Sequence, residues 1–134
     1  MSPETKSRVL GSIAQAWPDD PTVQSLCIAI VDFLETPPRK EYLTYGMLKR
    51  ATGLQPAEAQ REFAAAIQYL LGDTAPVLEL GFEIIDVDGT PTRITTDEAL
   101  AAAKEGIHPL TGAAQDNIRD LIITYFRPSG VWDD

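Results

Sequence analysis

The side chains able to do covalent or metal chemistry are few: one histidine, His108, and one cysteine, Cys27, in 134 residues. His108 precedes Pro109 in a connection between two expected helices. A catalytic base needs an orienting partner, and the sequence around His108 nominates none, so it reads as a loop or capping residue. Cys27 falls within an apolar helical stripe, where free cysteine behaves as a small buried hydrophobe rather than a reactive thiol. One Cys and one His cannot complete a structural zinc site. An EF-hand register starting at Asp86 fails because Pro91 stands where the loop needs glycine. The expectation is a protein that is not an enzyme, with no catalytic, metal-binding or cofactor-binding residues and no cofactor.

The string Phe82-Glu83-Ile84-Ile85-Asp86-Val87-Asp88-Gly89-Thr90 offers a second chemistry. An apolar run ending in Asp-x-Asp-Gly-Thr is similar to the nucleophile motif of the haloacid dehalogenase superfamily. The resemblance implies that the first aspartate attacks a phosphorus or carbon centre, the second acts as acid and base, and Mg²⁺ joins them. That chemistry requires a doubly wound sheet of parallel strands. Only about 44 residues of mainly helical pattern follow Thr90, and no later strand offers paired acidic ligands. Asp88-Gly89 is therefore read as a hairpin turn, since a motif counts only in its structural context.

Eleven cations against twenty carboxylates leave a net charge of −9, a poor overall footprint for a nucleic-acid binder. The charge is uneven. Residues 1–36 carry −3 and residues 64–134 carry −8, whereas 37–63 carry +2 through Arg39, Lys40, Lys49, Arg50 and Arg61. Any binding of a polyanion falls to that segment. No apolar run approaches a membrane span and no charged-then-apolar leader opens the chain. A single cysteine leans towards a cytoplasmic protein. The length fits one domain over 1–134.

The elements that must position these groups follow from periodicity. Val9, Leu10, Ile13 and Trp17 place a helix over about 6–17, ended by Pro18. Asp20 then N-caps a second helix with Pro21 at its first position. In it Val23, Leu26, Cys27, Ile30 and Leu34 form one stripe, widened by Ile28, Val31 and Phe33, which makes this helix central. Thr36-Pro37-Pro38 ends it. A short helix within 42–54 reaches Gly53, and Pro56 opens another whose Phe63, Ile67, Leu70 and Leu71 share a face. Two short helices around a glycine read as helix-turn-helix. Val77–Asp86 and Thr92–Thr95 form a hairpin turning at Asp88-Gly89. Thr95 and Glu98 have capping-box spacing for a helix that Gly106 stops. A last helix, about 113–126, places Ile118, Leu121, Ile122 and Tyr125 on one face.

Helices, helix-turn-helix, hairpin, helices: over about residues 22–95 this order resembles the winged-helix superfamily, whose wing is the hairpin. The fold class expected is α+β, mostly helical, with a winged-helix-like core, a two-stranded hairpin and a C-terminal helical extension over about 96–128. On the recognition helix the resemblance implies, the solvent-facing positions are Gln55, Glu58, Arg61, Glu62, Ala65 and Gln68. Arg61, Gln55 and Gln68 could read base edges and Lys49 with Arg50 could touch phosphates. Glu58 and Glu62 flank Arg61, however, and the wing tip carries Asp86 and Asp88 with Arg93 as the compensating cation. The candidate binding surface is thus Arg39, Lys40, Lys49, Arg50, Gln55, Glu58, Arg61, Gln68 and Arg93. The favoured role is a non-enzymatic interaction module, such as a regulatory subunit, that binds a protein partner or a second copy of itself. The alternative is a dimeric DNA-binding transcriptional regulator using the 44–71 helix-turn-helix. Neither a membrane nor a small-molecule substrate is expected.

Overall fold

The computed structural model describes residues 1–133. The order is α1 (Pro3–Ala16), α2 (Pro21–Glu35), α3 (Tyr45–Ala51), α4 (Gln60–Leu71), β1 (Leu78–Ile85), β2 (Pro91–Ile94), α5 (Thr96–Glu105), α6 (Ile118–Leu121), β3 (Ile122–Pro128) and a 3-10 turn, Gly130–Asp133. The fold is α+β, about half helical, with one three-stranded antiparallel sheet in the order β2-β1-β3. The chain divides into two compact units. Among the described residues one comprises Met1–Glu79 and 126–133; the other is Leu80–Tyr125.

The first unit is organised by α2. Asp20 caps it through the Val23 N–H at 3.1 Å, with Pro21 in the first turn, as its sequence predicts. Val23, Leu26, Cys27, Ile30, Val31 and Leu34 are all buried, and α2 packs most extensively on α4, then on α1 and α3. Cys27, Ile30 and Val31 are fully enclosed. Burying each large apolar side chain contributes about 1.5–3 kcal/mol, so this stripe is a substantial share of the unit's stability. α1 is capped by Ser2, whose Oγ accepts from Thr5 N at 3.1 Å. Beyond α2, Leu43 and Phe126 exchange both backbone hydrogen bonds, at 2.9 and 2.8 Å, in an isolated antiparallel bridge. Trp132 Nε1 donates to Val77 O at 3.0 Å and fixes the C-terminal turn.

The second unit has a smaller core: Ile84, Ala102 and Ile118, with Ile94, Leu121 and Ile122 packed against it. Its hairpin pairs Phe82 with Ile94 and Ile85 with Pro91 and turns over Asp88-Gly89 as expected. The turn is tied internally, with Asp86 N donating to Thr90 O and Gly89 N to Asp86 O. Only Gly89 is left-handed, at φ 83°, so the loop follows the three-residue pattern ending in a glycine rather than two positive-φ residues in succession. The predicted capping box closes α5: Thr95 Oγ1 accepts from Glu98 N and Glu98 Oε1 from Thr95 N. Gly106, at φ 70°, ends the helix.

Two expectations are overturned. The helix read over 113–126, and with it a purely helical extension over 96–128, reduces to one turn, Ile118–Leu121, followed by β3. The apolar positions fit a helical period, but Ile122-Ile123-Thr124-Tyr125-Phe126 is an unbroken run of β-branched and aromatic residues, and such a run fits a pleated surface. Tyr125 lies over Gly81, where a Cβ would collide with its ring; the glycine is what lets the aromatic cover that position. The second correction is that α4 begins at Gln60 rather than Pro56. Residues 56–59 form a separate turn, and Ala59 takes a left-handed conformation at φ 46°, ψ 41°.

Candidate binding surface

The five cations of the basic segment do not stand in one exposed group. Lys49 is the most altered: although charged it is only 4% exposed. Its ammonium donates to Pro56 O at 2.7 Å and lies 5.8 Å from the Phe63 ring centroid. It sits on α3 at a position where the helix packs on α4, whose Phe63 also meets Tyr45 edge-on at 4.9 Å. A buried ammonium needs acceptors, and the turn between the helices supplies a carbonyl.

Arg39 and Lys40 lie in the connection from α2 to α3. Arg39 Nη1 bonds Asp133 at 2.6 Å and Arg39 Nε lies 3.8 Å from Glu41. This pairing raises the Arg39 pKa and holds the Asp133 carboxyl below its ordinary value. Lys40 donates to Thr36 O at 2.6 Å and to Pro38 O at 3.1 Å, so it caps the end of α2, and its Nζ stands 4.5 Å from the Phe33 ring centroid. Arg50 on α3, and Arg61 and Gln68 on α4, are exposed. Neither Arg50 nor Arg61 has a carboxylate within ion-pair distance among the described residues.

Gln55 and Glu58 are exposed but precede α4 instead of lying along it. Glu58 Oε1 accepts from Gln55 N at 3.0 Å, and Glu58 N donates to Gln55 O at the same distance. Glu62 and Ala65, read as solvent-facing, are half-buried. Arg93 belongs to the second unit, where its guanidinium lies 6.0 Å from the Tyr125 ring centroid. Only Arg50, Arg61 and Gln68 are thus exposed, helical and in one unit.

The chemistry-bearing residues are held in ordinary structural roles. Asp86 and Asp88 each accept from a loop amide, Val87 N at 2.7 Å and Thr90 N at 2.9 Å. The bonds from Thr90 lower the Asp88 pKa. Cys27 is fully buried, and burial pushes its thiol up to about 12. His108 is a loop residue, as its sequence suggests, but a buried one. Its Nδ1 accepts from Leu110 N at 3.2 Å, which leaves Nε2 to donate to Ile85 O at 3.1 Å. Among the described residues no group of three or more His, Cys, Asp or Glu side chains is placed to hold a metal, and no helix is long and apolar enough to cross a membrane.

Sequence reasoning missed the burial of Lys49 and the position of Val87, which stands 80% exposed between Asp86 and Asp88 at the hairpin tip. No local spacing signals the burial of Lys49: it follows buried Leu48 in a seven-residue helix, and the carbonyl that receives its ammonium lies beyond that helix, at Pro56. Set against known protein families, curated proteins and solved structures, the chain finds no match in any of the three comparisons.

Proposed function

We propose that the protein is a non-enzymatic, winged-helix-like interaction module that binds a protein partner in the cytoplasm, in the manner of a regulatory subunit. The order α2, α3, α4 and hairpin supports the scaffold, as does the bridge from Leu43, ahead of α3, to β3 beside β1. Fold alone does not assign function. The observation that carries the choice of partner is the state of the cations. Lys49 is buried on a carbonyl, Arg39 is paired with acids and Lys40 caps a helix, so Arg50 and Arg61 are the two of five left to face a ligand. Duplex affinity grows with the number of phosphates neutralised and falls with salt accordingly. Two cations on a chain of net charge −9 supply little of that affinity.

The test is fluorescence anisotropy against random and genomic-fragment duplexes across a salt series. The expected outcome at about 150 mM salt is affinity weaker than the ~10⁻⁴–10⁻⁶ M of ordinary non-specific binding. Tight, salt-steep binding abolished by Arg50→Ala and Arg61→Ala would replace this reading with a dimeric DNA-binding regulator. In parallel, affinity capture from the native host should return a stoichiometric protein that Arg61→Glu/Gln68→Glu releases. Retention by that variant would move the contact away from α4.

A further inference from the structure

The turn ahead of α4 contradicts its own sequence. Pro56-Ala57-Glu58-Ala59-Gln60 is made of a good first-turn residue followed by strong helix formers, and it runs directly into α4. Yet Ala59 is the one non-glycine residue with positive φ among those described, and it separates residues 56–58 from the helix. Left-handed backbone is unfavourable for alanine, and no side chain caps α4 in return.

The turn already carries parts of a helix start. With Gln55 as N-cap, Pro56 is the first helical residue and Glu58 the third. The bond from Gln55 N to Glu58 Oε1 at 3.0 Å is then the return half of a capping box. Phe63 N already donates to Ala59 O at 2.9 Å. The feature opposing continuity is Lys49, whose buried ammonium holds Pro56 O at 2.7 Å, the carbonyl that Gln60 N would use in an unbroken helix.

We infer that residues 56–59 are a two-state joint: rotation of Ala59 from the left-handed to the right-handed region extends α4 back to Pro56, and the Lys49–Pro56 bond is the latch that holds it bent. The extension lengthens α4 from 12 to about 16 residues. It also changes the surface. In an unbroken helix Glu58, Arg61, Ala65 and Gln68 recur at spacings of three, four and three, which places them on one face. In the bent state the left-handed Ala59 turns Glu58 off the line of α4, whereas its bond to Gln55 N serves both states. A ligand that contacts the straight face therefore draws the joint towards it in proportion to its preference for that state. The joint is a property of the segment and stands whichever partner class the surface takes.

The test is NMR on the whole chain, comparing the wild type with Ala59→Val, Lys49→Met and Ala59→Gly. A β-branched residue is intolerant of positive φ, and methionine keeps the bulk of the lysine stem without its donor. Both Ala59→Val and Lys49→Met should show Hα–HN contacts three residues apart running unbroken from Pro56 to Phe63. Amide exchange at Gln60, Arg61 and Glu62 should slow by at least about tenfold as those groups gain acceptors. Ala59→Gly, which relieves the strain, should keep the break. The inference is overturned if folded Ala59→Val still breaks before Gln60, or if residues 56–59 lose all order in it. It is equally overturned if both Ala59→Val and Lys49→Met fail to fold, because the segment would then have no second conformation compatible with the rest of the chain.

Discussion

Two turns in this protein each contain a left-handed residue, and they are built in opposite ways. At the β1–β2 turn the residue is Gly89, and two carboxylates, Asp86 and Asp88, accept the neighbouring amides. In residues 56–59, the turn directly before α4, the residue is Ala59, in a stretch of helix formers and with no side-chain cap on the helix that follows; the glycine of that connection, Gly53 at φ 85°, lies earlier, just after α3. The hairpin turn is one where local preference and global fold agree; the interhelical turn is one where they conflict. Agreement at every level marks a position with a single deep minimum, whereas a conflict marks stored strain. The strained turn lies in the segment that also holds the buried Lys49 and the exposed Arg61. That coincidence directs the search for function to α3 and α4 rather than to the hairpin tip.

The comparison can be broken or sharpened by substitution. The largest effect should come from the core of the first unit: Ile30→Ala, at a fully enclosed position on α2, should cost about 2–5 kcal/mol in urea unfolding. A loss below about 1 kcal/mol would show that α2 is not the central element. At the relaxed turn, Gly89→Ala should cost about 1 kcal/mol net: the added Cβ meets no neighbour, the φ of 83° opposes alanine, and the reduced freedom of the unfolded chain offsets part of that cost. No measurable cost would mean that the hairpin turn is not held in that conformation. Thr95→Ala removes the cap that α5 has and α4 lacks, and should lower stability by about 1 kcal/mol. Hydrogen exchange should quicken first in the opening turn of α5.

The smallest expected effect is electrostatic. Bonds from Thr90 depress the Asp88 carboxyl below 3.8, so their contribution is present above that pH and is lost as pH falls through the lower folded value. A titration of the Thr90 amide shift should therefore turn below 3.8. A midpoint at or above that value would mean that the loop carboxylate is not engaged. The group is exposed, so the global melting temperature should barely register the change.

How legible all this was in the sequence depended on whether local signals acted alone. The Asp20 cap, the buried α2 stripe, the Asp88-Gly89 turn and the Thr95/Glu98 capping box are short-range devices, and each was readable. β3 was not, because its helical spacing was accidental and its partner β1 is some forty residues away in sequence. The start of α4 was misread for a related reason. Propensity favours Pro56 as the first helical residue, and what holds the turn bent is a bond from Lys49 on the preceding helix. The nine candidate surface residues combine the cations of the basic segment, the solvent-facing polar positions expected around 55–68 and Arg93 of the hairpin. Arg39 is engaged by Asp133 from the far end of the chain and Lys49 by a carbonyl beyond its own helix, contacts that no local periodicity encodes, whereas Lys40 is held locally by the end of α2.

The strain at Ala59 is the claim on which the rest turns, and Ala59→Gly tests it by sign. In an ordinary helix-proximal position this change is destabilising by about 0.5–1 kcal/mol. At a left-handed alanine it removes a conformational cost of about 1–2 kcal/mol while adding that smaller entropic one. Chemical unfolding of Ala59→Gly beside the wild type should show a net gain of about 0.5–1 kcal/mol. A loss of the same size would show that Ala59 is not held in the left-handed region, and that the turn before α4 stores no strain.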